Sequence, residues 1–538
     1  MILHATQYNV IEWSLTSDKG YGDPFNEVDV DVVVEGPDGR ELRVPAFWAG
    51  EQTWRVRFAP PSAGTYRYRS ECTDTSNPQL HGQTGELEVA TYAGDNAALS
   101  HGKLRIADGA RHLEHEDGTP FFWLGDTWWM ALCRRLRWPG DLRALVADRV
   151  AKGFSVVQIV AGLYPDMPAF DQRGANEAGF PWERDYARIN PSYFDMADLR
   201  IDWLAQSGLV TCIVGAWGYH LQWLGKDRMQ QHWRNLIARY GAYPVVWCIA
   251  GETSMPYYLS ESKDEDEAFL KEGWTELARY VRETDPYANP ITVHPTRYGR
   301  DEVEDPAVMD FEMLQTGHFG RSNLSDAVDM MTESLAREPR MPVLVGEAGY
   351  DGMLETNREE AQRFLFWTSL LSGAAGHTYG ANGIWQVNMD QEPYGKSPHG
   401  TSWGDLPWRD AYQLPASGQL GLGKRLLERY PWWQFEPHPE WVEPHHSDRD
   451  RHLPYAAGIP GEVTVVFIPN EAMRLAWEGG VSIKGIDADR EWRGMFFNPK
   501  TGDSHVIEAV RPDANGGYLV PSPPIFQDWV VVLEAAQP

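Results

Sequence analysis

The sequence predicts a multidomain α/β plus β protein, with a central (β/α)8 TIM barrel between an N-terminal immunoglobulin-like β-sandwich and a C-terminal β-sandwich domain. Through the middle of the chain, short apolar runs alternate with amphipathic helical stretches, which is typical of a parallel sheet built from β-α-β units. On either side, short alternating strands are separated by Pro/Gly turns, which favours sandwiches. At 538 residues the chain is too long for one ordinary core. We therefore expect domains at residues 1–95, 96–431 and 432–538.

The two flanking domains are predicted from strand-period alternation. Residues 28–32 and 54–58 alternate apolar and polar side chains, and Pro37-Asp38-Gly39 is a turn signal. Beyond residue 431, residues 463–468 and 529–533 are apolar and rich in valine, which indicates buried strands. Both ends of the chain are therefore expected to be all-β.

The barrel is predicted from eight apolar runs, most of which end in Gly or a polar residue. A helical stripe between the first two runs stops at Gly153, a residue that commonly ends helices. In chain order the runs cover residues 121–124, 155–160, 209–214, 245–252, 291–294, 308–314, 342–347 and 376–380.

Composition restricts the class of partner. The chain has 77 acidic and 48 basic residues, a net charge of −29, which argues against nucleic acid or an anionic membrane surface. It shows no apolar run of about 20 residues and no signal-peptide pattern, and its 4 cysteines are interpreted as reduced core residues, so we expect a cytoplasmic protein. Homo-oligomerisation is left open. The 24 tryptophans and 23 tyrosines exceed the needs of a core and suggest sugar stacking.

Two glutamates are the predicted catalytic pair. Glu252 ends the fourth apolar run and Glu347 ends the seventh, each directly after a glycine. In a parallel barrel both emerge at the C-terminal rim, where such folds place their chemistry. Cleavage of a glycosidic bond needs one carboxyl that stays protonated and one that stays ionised, and a separation of about 5–5.5 Å makes the enzyme retaining.

Longer motifs resemble a known family. The segment FFWLGDTWW at residues 121–129, followed by KGFSVVQ at residues 152–158, resembles the apiosidase-like catalytic domain, the DUF4038 group. The first 90 residues, with EWSL at 12–15 and NEVDV at 26–30, resemble the DUF5060 β-sandwich. The resemblance implies a retaining (β/α)8 glycosidase in which Glu252 is the acid/base and Glu347 the nucleophile. Those relatives typically carry Gly-Gly-Asp where this chain has Ala-Gly-Glu at 250–252, so the resemblance implies the reaction class and not the sugar.

Further residues at the strand ends are predicted to bind the substrate. Asp126 is equally compatible with capping a helix and Gln158 with a polar position inside the barrel, while any single tryptophan or histidine fits a structural role as well. Tyr350 is close enough to Glu347 in sequence to orient it. The full predicted set is Asp126, Trp128, Trp129, Gln158, Trp217, His220, His294, Gln315, His318, Tyr350, Tyr379 and Trp385.

The predicted function is a retaining, exo-acting glycoside hydrolase for a small glycoside or oligosaccharide, without cofactor or metal. The histidine- and aspartate-rich residues 445–452 are interpreted as a solvated loop, because their setting is polar and unpatterned. Residues 418–424 imitate a phosphate-binding loop, but Arg425 stands where Ser or Thr is required. The alternatives are a non-catalytic carbohydrate-binding or scaffold protein on an inactive barrel, and a transglycosylase or lyase on the same fold.

Overall fold

The centre of the chain forms the predicted (β/α)8 barrel. The structure is a computed structural model that describes residues 2–318, 324–353 and 357–536. Eight parallel strands follow one another in chain order around the ring. The first to eighth barrel strands are Trp123–Thr127, Val156–Val160, Val210–Val214, Val245–Gly251, Ile291–His294, Glu312–Gln315, Val343–Glu347 and Gly376–Tyr379.

The ring closes between the fifth and sixth barrel strands. There the backbone N–H of Asp310 donates to the carbonyl of Ile291 (2.8 Å), and the Thr292 hydroxyl donates to the carbonyl of Phe311 (2.8 Å). These bonds occupy backbone groups that an open sheet edge would leave unpaired. All eight strands are buried throughout, because one face of each strand lies toward the barrel interior and the other is covered by helices.

Helices cover the outside of the ring. The longer ones are Gly140–Lys152, Pro191–Gln206, His220–Tyr240, Lys263–Thr284, Leu324–Leu335, Glu359–Leu371 and Pro415–Leu427, with short helices at Pro24–Glu27, Ala97–Ser100, Trp408–Ala411 and Met473–Trp477. The predicted stop at Gly153 is confirmed: this residue has φ 91° and its N–H caps the carbonyls of Arg149 and Val150. None of the helices among the described residues is both long and apolar enough to cross a bilayer.

Two barrel strands differ from their predicted bounds by more than one residue. The first begins at Trp123 rather than at residue 121, because Pro120–Phe121 pairs with Leu113–His115 and, through it, Leu104–Arg105 in a small antiparallel sheet. The sixth begins at Glu312 rather than at residue 308. The cause is the 3₁₀ turn Pro306–Val308, which starts at a proline and is capped by the Asp305 side chain. Together with a second 3₁₀ turn, Gly299–Asp301, it connects the fifth and sixth barrel strands.

The N-terminal region is a sandwich of two sheets. Its strands enclose a separate apolar core. Arg57 docks it on the barrel: its guanidinium donates to the Asp198 carboxylate (2.6 Å) and to the carbonyl of Arg239 (3.0 Å). The five-stranded sheet has the order Ile2–Thr6, Thr84–Ala90, Gly64–Cys72, Val30–Glu35 and Glu41–Pro45, and the three-stranded sheet the order Ile11–Thr16, Thr53–Phe58 and Phe47–Trp48.

The C-terminal region is a second β-module with its own apolar core. The buried Arg363 of a barrel helix pairs with Asp528 (2.6 Å) and ties this module to the barrel. The six-stranded sheet has the order Glu436–Pro437, Tyr455–Ile459, Val463–Ile468, Trp529–Ala535, Trp492–Phe497 and Ser504–Ile507; the three-stranded sheet has the order Val442–Glu443, Ser482–Ile483 and Tyr518–Leu519.

Candidate active site

A cavity of about 300 Å³ opens at the C-terminal ends of the barrel strands. Its volume lies at the lower end of the range of small-molecule sites. All of its lining residues come from the ends of, or the loops after, the first to fourth and the sixth to eighth barrel strands, and they bring aromatic rings and carboxylates together. The lining residues are Trp129, Pro165, Asp166, Trp217, Glu252, Met255, Tyr258, His318, Glu347, Tyr350, Met353, Trp385, His399 and Trp403.

Glu252 enters this cavity through an unusual backbone. The fourth barrel strand has an irregular register between Cys248 and Gly251, and Glu252 has φ 41°, in the left-handed region that non-glycine residues rarely adopt. Gly251 lies against Trp217, and a Cβ at this glycine would lie 2.3 Å from the Trp217 ring. Because no other residue fits that contact without displacing the ring, a glycine is required at position 251.

The Glu252 carboxyl is half-buried and held at both oxygens. Trp217 Nε1 donates to Oε2 (3.1 Å), and Gln315 Nε2 lies at 3.4 Å from Oε1. Burial, followed by the negative charge of Glu347, raises the pKa of Glu252 to about 7. Glu252 therefore keeps its proton for much of the neutral range.

Glu347 has the opposite environment. Tyr350 donates its hydroxyl hydrogen to Oε2 (2.7 Å), His318 Nε2 lies 2.7 Å from Oε1, and His294 Nε2 lies 3.3 Å from Oε2. Burial alone would raise the pKa of Glu347, but the two imidazoles outweigh burial and hold the pKa well below its usual range. Glu347 is therefore ionised wherever the protein is folded near neutral pH.

The aromatic side chain of Trp129 contacts two of the residues that surround Glu347. Trp129 Nε1 donates to the hydroxyl of Tyr350 (3.0 Å), and the Trp129 ring meets His294 edge-on at 5.2 Å. For His318, burial would lower the pKa, but the hydrogen bond and charge of Glu347 outweigh burial and raise it. His318 is thereby favoured in its charged form beside the carboxylate.

Seven of the predicted substrate-binding residues come together here. Trp129, Trp217, His318, Tyr350 and Trp385 line the cavity. The other two, His294 and Gln315, contact the two glutamates from beneath it.

Five predicted substrate-binding residues lie outside this cavity. Asp126 forms a fully buried ion pair with Arg149 (2.6 Å) and accepts the Trp128 indole hydrogen (2.7 Å), so both side chains are structural. Gln158 donates to the carbonyl of Gly346 inside the barrel (2.7 Å). The remaining two are also placed by internal bonds: His220 Nε2 lies 3.0 Å from the carbonyl of Tyr164, and Tyr379 donates to Asp351 (2.9 Å).

Seven lining residues were not predicted from the sequence. They are Pro165, Asp166, Met255, Tyr258, Met353, His399 and Trp403. All lie in loops, several residues beyond a strand end. At that distance the position of the strand does not indicate which way a side chain points. Asp166 carried the one usable signal, a carboxylate six residues after the second barrel strand.

The described residues contain no group of three or more His, Cys, Asp or Glu side chains arranged to hold a metal ion. The cavity itself offers two glutamates, one with a raised pKa and one held ionised, within reach of aromatic surfaces. That combination suits proton donation to a leaving oxygen and nucleophilic attack on the carbon it leaves.

Comparisons with known proteins agree with the fold. The model of the apiosidase-like catalytic domain matches residues 107–434, and that of DUF5060, a domain of unknown function, matches residues 4–73. A putative glycoside hydrolase from Bacteroides vulgatus ATCC 8482 has a TM-score of 0.70 at 17% identity, covering 99% of this chain and 100% of its own. A glycoside hydrolase family 5 structure from the same organism has a TM-score of 0.65 at 22% identity, covering 82% and 95%. A further structure, described as a glycoside hydrolase, has a TM-score of 0.65 at 22% identity, covering 81% and 97%. A search of curated proteins finds no match.

Proposed function

This chain belongs to the apiosidase-like family of glycoside hydrolases, and from that premise we propose that it is a retaining, exo-acting enzyme that uses Glu252 as acid/base and Glu347 as nucleophile. The observation that carries the proposal is the difference between these two carboxyls. They face one cavity, yet the pKa of Glu252 is raised to about 7 while that of Glu347 is lowered. Two carboxyls whose pKa values are driven apart are the apparatus that double displacement requires.

In the first step, protonated Glu252 gives its proton to the glycosidic oxygen while a Glu347 oxygen bonds to the anomeric carbon. The aglycone leaves with that proton, and the sugar is held as an ester of Glu347. In the second step ionised Glu252 removes a proton from water, whose oxygen attacks the anomeric carbon and releases Glu347. Configuration is retained because the carbon is inverted twice.

The groups around Glu347 support the nucleophile role. Tyr350, His318 and His294 stabilise the carboxylate before attack. When Glu347 forms the ester its charge disappears, and the electrostatic stabilisation of the proton on Glu252 weakens with it, because Glu347 is the second cause of the raised pKa. Glu252 is therefore more fully ionised in the second step, in which it has to accept a proton from water.

The size of the cavity supports a small substrate and exo action. A volume of about 300 Å³ suits one sugar ring and part of its aglycone rather than a polymer chain. The natural substrate in this proposal is a small glycoside or short oligosaccharide. We also propose a cytoplasmic site of action, supported by four buried cysteines that form no disulfide. Fractionation of the producing cell tests the location.

A panel of 4-nitrophenyl furanosides and pyranosides tests the reaction. We expect the wild type to cleave at least one of them, and proton NMR to show the product first in the substrate's anomeric configuration. Glu347→Gln should lower kcat by several orders of magnitude on every substrate. Glu252→Gln should lower kcat far more on a methyl glycoside than on a 2,4-dinitrophenyl glycoside, because dinitrophenolate leaves without protonation. Exposed Glu283, changed to Gln, is the matched control.

The same experiment separates the alternatives. A carbohydrate-binding protein on an inactive barrel would bind sugars and cleave none of the panel. A transglycosylase would release nitrophenol while transferring the sugar to an acceptor other than water, and a lyase would give an unsaturated product. Full activity of the Glu347→Gln variant would overturn the assignment of the nucleophile.

A further inference from the structure

A third carboxylate belongs to the cavity wall. Asp166 lines the cavity, yet its side chain bonds neither of the two glutamates among the contacts that the structure describes. It is 6% exposed and has φ 58°, so the loop after the second barrel strand adopts a strained backbone at this position. Left-handed backbone at a non-glycine residue is strained and persists where surrounding contacts enforce it.

The contacts that hold Asp166 come from neutral groups. Trp403 Nε1 donates to Asp166 Oδ2 (2.7 Å), and the Asp166 N–H donates to the Tyr258 hydroxyl (3.2 Å). The arginine nearest in sequence, Arg173, pairs with Asp171 (2.8 Å) and reaches only the backbone carbonyl of Asp166 (3.2 Å). The Ser397 and Tyr258 hydroxyls also donate hydrogen bonds to the Asp166 carboxyl. A carboxylate has about four acceptor positions, so these three neutral donors leave it capacity for about one further hydrogen bond.

Three loops build this part of the wall. The recognition cluster consists of Asp166, Tyr258, His399 and Trp403, which follow the second, fourth and eighth barrel strands. The His399 ring lies 5.1 Å from Tyr258 and 6.3 Å from Trp403. The cluster is thus a set of acceptor, donor and ring surfaces facing the same volume as the glutamates.

Arg173 fastens the loops that carry the cluster. Its guanidinium donates to the carbonyls of Tyr394 (3.3 Å) and Lys396 (3.2 Å), beside the bridge between Lys396 and Ser402. The loop after the eighth strand is thereby joined to the loop of Asp166. Groups fixed in this way before the substrate arrives lose little entropy on binding.

We propose that Asp166 is a specificity-determining residue that accepts hydrogen bonds from hydroxyl groups of the terminal sugar, so that the cluster selects a neutral, unsubstituted ring at the non-reducing end. This inference rests on the proposed function. A sugar carboxylate or phosphate would meet Asp166 in a cavity that already contains the ionised Glu347, and like charges repel at short distance. A methyl or acyl group on the recognised hydroxyl would remove its donor and leave the Asp166 carboxylate unpaired.

Monodeoxy analogues of the 4-nitrophenyl glycoside that the wild type cleaves best provide the test. Asp166→Asn should lower kcat/KM on the parent glycoside by about 10- to 100-fold, the range for a hydrogen bond to a charged group. On the analogue that lacks the recognised hydroxyl, wild type and variant should differ by less than about threefold, because the partner is already missing. The matched control is Asp405→Asn, an exposed aspartate in the loop that carries Trp403, which should change neither substrate.

One further variant and one further substrate distinguish recognition by Asp166 from a merely structural role. Trp403→Phe keeps a ring and removes the N–H that holds Asp166, and should show a smaller loss with the same dependence on the deoxy position. The 4-nitrophenyl glycuronide should gain relative to the neutral glycoside in Asp166→Asn. An equal loss on the parent and on every analogue, with a lowered melting temperature, would make Asp166 merely structural and overturn the inference. If the wild type cleaves no glycoside, the proposed function fails; if it cleaves one and Asp166→Asn keeps its selectivity, only this inference fails.

Discussion

Replacing Glu252 with glutamine should stabilise the protein at alkaline pH and have little effect at acid pH. The pKa of Glu252 is raised from 4.5 to about 7 in the folded protein. Below pH 4.5 the carboxyl is protonated in both the folded and the unfolded state and contributes nothing to the pH dependence. Between pH 4.5 and 7 the unfolded chain gives up this proton while the folded protein retains it, so the wild type loses stability as the pH rises.

The expected magnitude follows from the two pKa values. A difference of 7 − 4.5 = 2.5, at 1.36 kcal/mol for each pKa unit, gives about 3 kcal/mol by pH 8.5. Glutamine carries no titrating proton and has nearly the shape of the protonated acid. Its oxygen is able to accept the hydrogen bond from Trp217 Nε1 as the acid does. The variant therefore avoids the free-energy cost of ionising the carboxyl in the folded protein without losing that contact.

Denaturant unfolding of wild type and Glu252→Gln at pH 4.5 and at pH 8.5 measures the effect. The gain in unfolding free energy of the variant should be about 3 kcal/mol larger at pH 8.5 than at pH 4.5. Glu283→Gln, at an exposed helix position, should show no such difference between the two pH values. An equal effect of Glu252→Gln at both pH values would refute the raised pKa and, with it, the basis for assigning the acid.

The remaining predictions concern rate, backbone and the corrected site. The kcat/KM of the wild type should fall as the pH rises through about 7, because the proton of Glu252 is then lost; a profile that stays flat to pH 9 would contradict this. Gly251→Ala should lower kcat by at least about 100-fold in a folded protein, because the new Cβ displaces Trp217 from Glu252; unchanged kinetics and unchanged circular dichroism would argue against the contact. Asp126→Asn should cost about 1.5–3 kcal/mol of unfolding free energy, because Arg149 loses its buried ionic partner at Nε but keeps Asp148, while KM of the folded fraction stays the same; a raised KM with normal stability would restore Asp126 to the sugar site.

The sequence was sufficient to predict the barrel because each strand is a continuous buried run. Runs such as Val245–Gly251 and Val343–Glu347 are buried on both faces, which is typical of a parallel sheet covered on both sides, and their alternation with helices distinguishes them from the buried antiparallel strand Val463–Ile468. The order of strands follows directly from chain order in this fold. The positions of Glu252 and Glu347 at one rim therefore follow from counting strands.

Counting strands did not predict the roles of individual polar residues. Asp126 and Gln158 have the strand positions of site residues, but each faces a partner that only the tertiary structure supplies. The recognition cluster shows the converse case. Asp166 and Trp403 lie 237 residues apart in sequence and meet through two loops. Hydrophobic periodicity predicts helices and strands but not the paths of loops.

The glutamate at position 252 explains why the reaction class transfers more readily than the sugar. The resemblance leads one to expect an aspartate here, whose carboxyl would lie roughly 1.5 Å nearer the backbone, a displacement that alone costs about 100-fold in rate. In this chain the longer side chain is fixed at both oxygens, by Trp217 and by Gln315, and starts from a left-handed backbone. Because the acid is anchored from its new position, proton donation is preserved while the place of the leaving oxygen shifts. A sugar ring that fits the shorter acid is then misplaced against Glu347, so the identity of the glycon depends on the loops, and above all on the wall that carries Asp166.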